Sequence, residues 1–545
     1  MEHNISRRRF LTHAGVAGAT AGLNLSMSSA HAIGASTPNP DPYNVQARGT
    51  GFRVTPTGAD DRPNLEWALR NIQPGGTVRL VKGTYKMGGA AIVPDFDGRL
   101  IGEGENKTTI TCTDEYNYEL WEKAGKVGPR PQPYPRRFID GSATKTPPGL
   151  ILFYKTPLAG RDPESVANRI EIKNLRCRGA MIGTDWTFGD EVLCFSVVNS
   201  IDWNNVNVAQ EPSRQDFLLS NVLVDGYASD EFGVYNNGCA CITITGSPIL
   251  TDNYDLTGAT DGDAFGASNG ALLGTVPAPG DVTFRDCTFV NCRLGPGVVG
   301  HKDSDLIFDN IKTKNCRGNC LQIIDNSNCN VVVRDCNLTN DSFLLPPELT
   351  AGGASTDIPS SLGCIAIFSG FSNGAGIPSN LRFLQLAVDQ GARDRLDDNL
   401  KQVAGPLGTW RPQGPSTLPE PLKVRIIDSK CSSPGTANTY CIHAIDIASL
   451  VFSVPTLDMR IRRNRCIGSQ TCISLEHVKQ ASVRDNRCRA LTTGVELYDA
   501  DNIRLRDNRY RFTGDGEGCE VLNLALGQKI DAYRVVPGAG SCQSE

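Results

Sequence analysis

The chain has 545 residues, with 54 Lys and Arg against 59 Asp and Glu, and a net charge of −5. Read along its length it shows no basic stripe, which argues against a nucleic-acid partner. No apolar run reaches the roughly 18 residues of a membrane helix, so no membrane partner is expected once an N-terminal leader is removed.

That leader is residues 1–32, which read as a twin-arginine signal peptide. Arg7, Arg8 and Arg9 precede Phe10-Leu11, a Gly/Ala-rich apolar run extends from Ala14 to Leu25, and Ala30-His31-Ala32 is an A-x-A cleavage site. The expected location is therefore secreted or periplasmic. Cleavage removes three Arg and one Glu, leaving a more acidic chain whose only histidines are His301, His443 and His477. Residues 33–47 read as a linker. The 19 cysteines are expected to be mostly buried thiols, with a bridge such as Cys519–Cys542 near the C-terminus.

Residues 60–72, "DDRPNLEWALRNI", carry helix signals. An Asp pair and Pro63 mark the start, and Leu65, Leu69 and Ile72 form an apolar stripe. This helix is placed to cap the N-terminal end of a repeat array.

From residue 169 onward one unit recurs: apolar-x-apolar-x-polar-x-x-apolar. It fits 169–177, 216–224, 281–292, 305–316, 330–341, 423–431, 459–466, 482–488 and 503–510. Each copy alternates as a strand with one buried face. Further short apolar strands lie between copies, as in "GNCLQIID", "TCISLEH" and "TGVELYD", and no helical pattern intervenes. A turn of 22–25 residues then holds three short strands and restacks on the turn before. The fold class is all-β, a parallel β-helix. Asn464, Asn486 and Asn508 recur every 22 residues and read as a stacked amide ladder at a bend. Their tolerance of left-handed backbone suits such a bend. At the equivalent position earlier turns carry Cys287, Ile311 and Cys336.

The stretch "TGADDRPNLEWALRNIQPGGTVRLVKGTYKM", then "GRLIGEGENKTTITC", resembles the opening of the pectin/pectate lyase-like superfamily: helix, Gly-Gly turn, strand ending in Gly-Thr-Tyr, then Leu-x-Gly-x-Gly, and this resemblance implies that the parallel β-helix is right-handed. With the repeats the resemblance spans residues 48–512, and 513–545 are left as a C-terminal cap. Three stretches, 113–149, 250–280 and 341–422, read as insertions walling a groove, the last with a helix at 383–403.

The resemblance implies an enzyme acting on a polysaccharide laid along the strand face. Asp230 and Glu231 stand at one strand entrance, His301 and Lys302 on another, and Asp325 on the next turn, so these five are the candidate catalytic residues. Gly300-His301 and Asp230-Glu231 echo polygalacturonase-like sites, but Asn-Thr-Asp, Gly-Asp-Asp and Arg-Ile-Lys motifs are absent, as is the pectate-lyase Arg-x-Pro-x-x-Arg. His301 and Lys302 supply a base, which favours a polysaccharide lyase acting by β-elimination on a uronate-containing or anionic glycan. A polygalacturonase-like glycoside hydrolase, an epimerase and a non-catalytic glycan-binding or surface β-helix are the alternatives. Arg130, Arg136 and Arg137 are the expected basic groove. His443, and His477 beside Glu476, read as structural. No cofactor is implied. Calcium is the ion that Asp252, Asp255, Asp261 and Asp263 would hold, although their spacing matches no defined loop. Two G-x-S-x-G matches, around Ser268 and Ser372, lack the strand-to-helix context of a nucleophile elbow.

Overall fold

Alternating apolar residues bury one face of each strand, and short polar bends turn the chain so that the next strand lies beside its counterpart one turn earlier. The computed structural model describes residues 38–89, 91–113, 149–155, 167–178, 193–198, 213–225, 244–245, 278–290, 295–299, 301–314, 316, 319–324, 326, 328–340, 362–369, 421–433, 439–446, 456–514, 518–523 and 541–543. The expected signal peptide, the helix expected at 383–403 and the four aspartates of the calcium reading lie outside them, as do Arg130, Arg136 and Arg137.

The chain from Asn39 to Glu545 forms one unit, nearly all β. It is the parallel β-helix that the repeats imply. Among the described strands the one antiparallel pair is the hairpin Val45–Arg48 with Gly51–Val54. Every other pairing is parallel. The last complete turns show the plan. Strands Leu457–Arg462, Arg465–Ile467 and Thr471–Glu476 make one coil. Strands Ala481–Arg484, Arg487–Ala490 and Thr493–Tyr498 make the next, each in register with its predecessor. The first two strands of each coil belong to a long continuous sheet. The third belongs to an eight-stranded sheet running from Gly297–Val299 to Ser541–Gln543.

The bend between the first two strands explains the asparagines. Asn464 donates its side-chain amide to Asn486 Oδ1 at 3.1 Å, and Asn486 donates to Asn508 Oδ1 at 2.9 Å. The same oxygens accept the backbone N–H of Asn464 and Asn486. Ser429 extends the column, its N–H donating to Asn464 Oδ1 at 3.0 Å. The left-handed residue is not the ladder Asn but the one before it. Asp286, Asn310, Asp335, Asp428, Arg463, Asp485 and Asp507 all have φ between 52° and 58°. The bend therefore carries two columns. An outer one supplies the backbone geometry that Asp and Asn tolerate, and an inner one satisfies buried polar groups.

Inside, side chains stack like with like. Phe284 and Phe308 stack on successive coils with ring centroids 5.2 Å apart, and Phe217 on the coil before packs against Phe284 at 6.0 Å, tilted by 57°. Cys431, Cys466 and Cys488 share one register column and are buried. Burial pushes the Cys287 and Cys336 thiols up to about 12, so neither is a ready nucleophile. The folded protein is expected to react with a thiol-specific disulfide reagent at least tenfold more slowly than the unfolded chain, read as released chromophore. The bridge expected between Cys519 and Cys542 does not fit the pairing. Leu522 faces Cys542, which leaves Cys519 about 10 Å along the strand, beyond the reach of a disulfide.

The N-terminal cap is the helix α1, Arg62–Arg70, with Leu65 and Leu69 buried on the first coils. Asp61 does not cap its own helix. Its carboxylate accepts the N–H of Thr57 and of Lys86, tying the helix start to the stack. The Gly102 and Gly104 pair also has a physical cause. A Cβ on Gly102 would meet the Asn174 carbonyl at 2.4 Å, and Gly104 has φ +136°.

Two boundaries differ from those expected. Leu362–Ser369, inside the expected insertion 341–422, is a core strand pairing with Leu321–Ile324 and Thr439–Asp446. Parallel pairing also continues past Phe512, through Cys519–Asn523 to Ser541–Gln543.

Candidate active site

On the eight-stranded sheet, Ile442, Ile473 and Val495 point inward in register, so the next residue along each strand points outward. That outer row is His443, Ser474 and Glu496. Two residues further along lie Ile445, Glu476 and Tyr498. Three consecutive coils thus place a histidine and two glutamates on one face in a zigzag.

The contacts close it. The His443 Nε2–H donates to Glu476 Oε1 at 2.7 Å. The Tyr440 ring stacks on the imidazole at 4.5 Å, tilted by 18°. On the neighbouring coil Thr471 Oγ1 donates to Glu496 Oε2 at 3.1 Å. Coil spacing and strand rise put the Glu476 and Glu496 Cα atoms about 8 Å apart. At the far ends of these strands His477 Nδ1 and Lys479 Nζ face Asp499 at 3.1 and 3.8 Å.

This face is sheltered. His443 and Ser474 are buried although they project outward, while Glu476 is 28% exposed and gives the cluster its opening. Burial raises the Glu496 carboxyl above the usual range. The Thr471 hydrogen bond and His443 oppose the rise, and the nearby Glu476 charge adds to it. Burial also pushes the Tyr440 phenol up, reinforced by Glu496 and Glu476, so it keeps its proton at neutral pH. The cluster therefore holds two half-buried carboxyl groups with different partners: Glu496, bonded by Thr471 and biased by burial toward its protonated form, and Glu476, held by an imidazole. Such a split is what acid–base chemistry uses.

Of the residues expected from the sequence, His301 and Lys302 form a short strand pairing with Ala278–Pro279. His301 is 1% exposed, and its backbone N–H donates to Asn326 Oδ1 at 2.8 Å. Lys302 is half-buried, and its carbonyl accepts from Ser304. Asp230, Glu231 and Asp325 lie outside the described residues, so convergence of these five stays a proposal. Among the described residues no group of His, Cys, Asp and Glu is arranged to hold a metal ion.

No family model matches the chain, and no curated protein matches it. Solved structures that resemble it include the surface adhesin PfbA of Streptococcus pneumoniae, at 10% identity, covering 88% of this chain and 93% of that one, with TM-score 0.37. The A-module of the mannuronan C-5 epimerase AlgE6 of Azotobacter vinelandii matches at 11% identity over 86% and 96%, TM-score 0.32. The catalytic unit of the GH87 alpha-1,3-glucanase of Streptomyces thermodiastaticus matches at 11% over 89% and 66%, TM-score 0.35. At these identities and scores they say nothing about the chemistry of this chain.

Proposed function

We propose that the protein is an exported carbohydrate-active enzyme that cleaves a polysaccharide on the outer face of the eight-stranded sheet. The observation that carries the reading is the Glu476–Glu496 pair on adjacent coils, with His443 and Tyr440 beside it. Glycoside hydrolysis needs two carboxyl groups flanking the bond, one protonated and one ionised. Glu496, with its raised pKa, is the general acid that protonates the leaving oxygen. Glu476, held by His443, is the carboxylate on the other side of the bond. Tyr440 offers a phenolic donor to the sugar. The clustered carboxylates oppose a uronate at the cleavage point, since like charges close together repel strongly in a sheltered site.

Elimination from a uronate is the second reading, and it is favoured by one observation. Tyr440, stacked on His443 and kept protonated, is a suitable proton donor for β-elimination. Incubating the mature protein with a panel of neutral and uronate polysaccharides separates the possibilities. New reducing ends without ultraviolet-absorbing unsaturated product are expected. Unsaturated product would favour elimination, and no product from any polymer would favour a binding module.

A further inference from the structure

The overall acidity of the chain conceals a basic surface. Residues 457–512 hold twelve Lys and Arg against seven Asp and Glu. The winding gathers many of these on the outer face of the long sheet, away from the glutamate cluster. Arg425 and Arg460 are paired in register, and their column continues through Ser482 to Arg504. The adjacent column runs Arg462, Arg484, Arg506. Where the first column has Ser482, the second supplies Arg484, so Arg425, Arg460, Arg484 and Arg504 give one guanidinium per coil over four coils.

These arginines line a groove of about 460 Å³ together with Arg462 and Asp458. Arg425, Arg460, Arg484 and Arg504 are exposed. Among the described residues no carboxylate lies within ion-pair distance of these four, whereas Arg462 faces Asp485 and Arg506 faces Asp507. Like charges stacked directly across strands destabilise a sheet. Arg425 and Arg460 are such a pair, and four uncompensated arginines in one groove are a cost to the fold that a bound polyanion would relieve.

We infer that this face is a second ligand site, which binds an acidic polysaccharide along the stack. Coils repeat at about 4.8 Å, close to the advance of one sugar in an extended chain, so one carboxylate per sugar meets one arginine per coil. Duplex DNA offers a phosphate every ~3.4 Å along each strand, out of step with the coils. The polymer held here is an anchor and not the chain being cleaved, because it lies on a different sheet from Glu476 and Glu496. The anchor site does not depend on the catalytic reading.

The test measures binding of the mature protein to polygalacturonate, to uncharged dextran and to duplex DNA at matched ionic strength. Polygalacturonate is expected to bind, to weaken as salt is added, and to bind more tightly than DNA, while dextran does not bind. The triple variant Arg460→Gln, Arg484→Gln, Arg504→Gln should weaken binding at least tenfold while its melting temperature stays near that of the parent, because all three side chains are exposed. Each single variant should weaken it about threefold, which covers any folding defect of the triple. Glu476→Gln and Glu496→Gln should leave it unchanged, so catalysis and anchoring fail separately. Absence of polygalacturonate binding, unchanged binding in the arginine variants, or DNA binding as tightly as polygalacturonate would each overturn the inference.

Discussion

Glu496→Gln lowers kcat by roughly 100- to 10,000-fold on whichever polysaccharide the protein cleaves, the range a positioned general acid contributes. The amide is nearly isosteric and can still accept from Thr471 Oγ1, as the carboxylate does at 3.1 Å, so the melting temperature should hardly move. The pH profile gives a second readout. Burial raises the Glu496 pKa, so the acid form persists to higher pH than for a solvated glutamate. Rate is then lost as pH rises through that raised value, and the alkaline limb belongs to Glu496. In the variant that limb should vanish from the residual activity. An alkaline limb that survives would assign the acid elsewhere.

Asn486→Ala should destabilise the fold by about 3–5 kcal/mol, measured by denaturant unfolding. Asn486 is fully buried. Its Oδ1 accepts both the backbone N–H and the side-chain amide of Asn464, and its Nδ2 donates to the carbonyl of Ile461 and to Asn508 Oδ1. Removing it leaves several buried polar groups without partners, at about 1–3 kcal/mol each. The half-buried Asn508, the last ladder residue, is the graded control. Its loss should cost less, because water can reach the bend it leaves behind.

The ladder shows what a single sequence reveals. A spacing of 22 residues between Asn464, Asn486 and Asn508 is enough to predict vertical neighbours, because a solenoid converts sequence period into contact. The left-handed position, expected at Asn itself, falls one residue earlier. Asp485 and Asp507 take that conformation, and both residue types suit it, so the pattern alone does not distinguish them. Leu362–Ser369 is hidden for a different reason. Its strand lies far along the chain from its partner Thr439–Asp446 and sits in a Gly- and Ser-rich stretch that resembles a loop.

The glutamate cluster is harder to see. His443, Glu476 and Glu496 sit 33 and 20 residues apart, and each looks ordinary in its own strand. Aligning "TYCIHAID", "TCISLE" and "TGVELY" by their inward positions exposes the shared outer row. That alignment needs the register, which the unequal loops between coils obscure. The basic face escapes by the same route. Net charge and a linear scan average Arg460, Arg484 and Arg504 with the acidic residues between them, whereas the register gathers the arginines into one groove.

If successive coils bring Glu476 and Glu496 to opposite sides of one glycosidic bond, a crystal structure of Glu496→Gln bound to an oligosaccharide of the cleaved polymer will show it most directly. The expected result is a sugar chain crossing the eight-stranded sheet, its linkage oxygen next to residue 496 and Glu476 on the opposite side. Sugar bound only elsewhere, or strands 471–476 and 493–498 that are not neighbours, would contradict it.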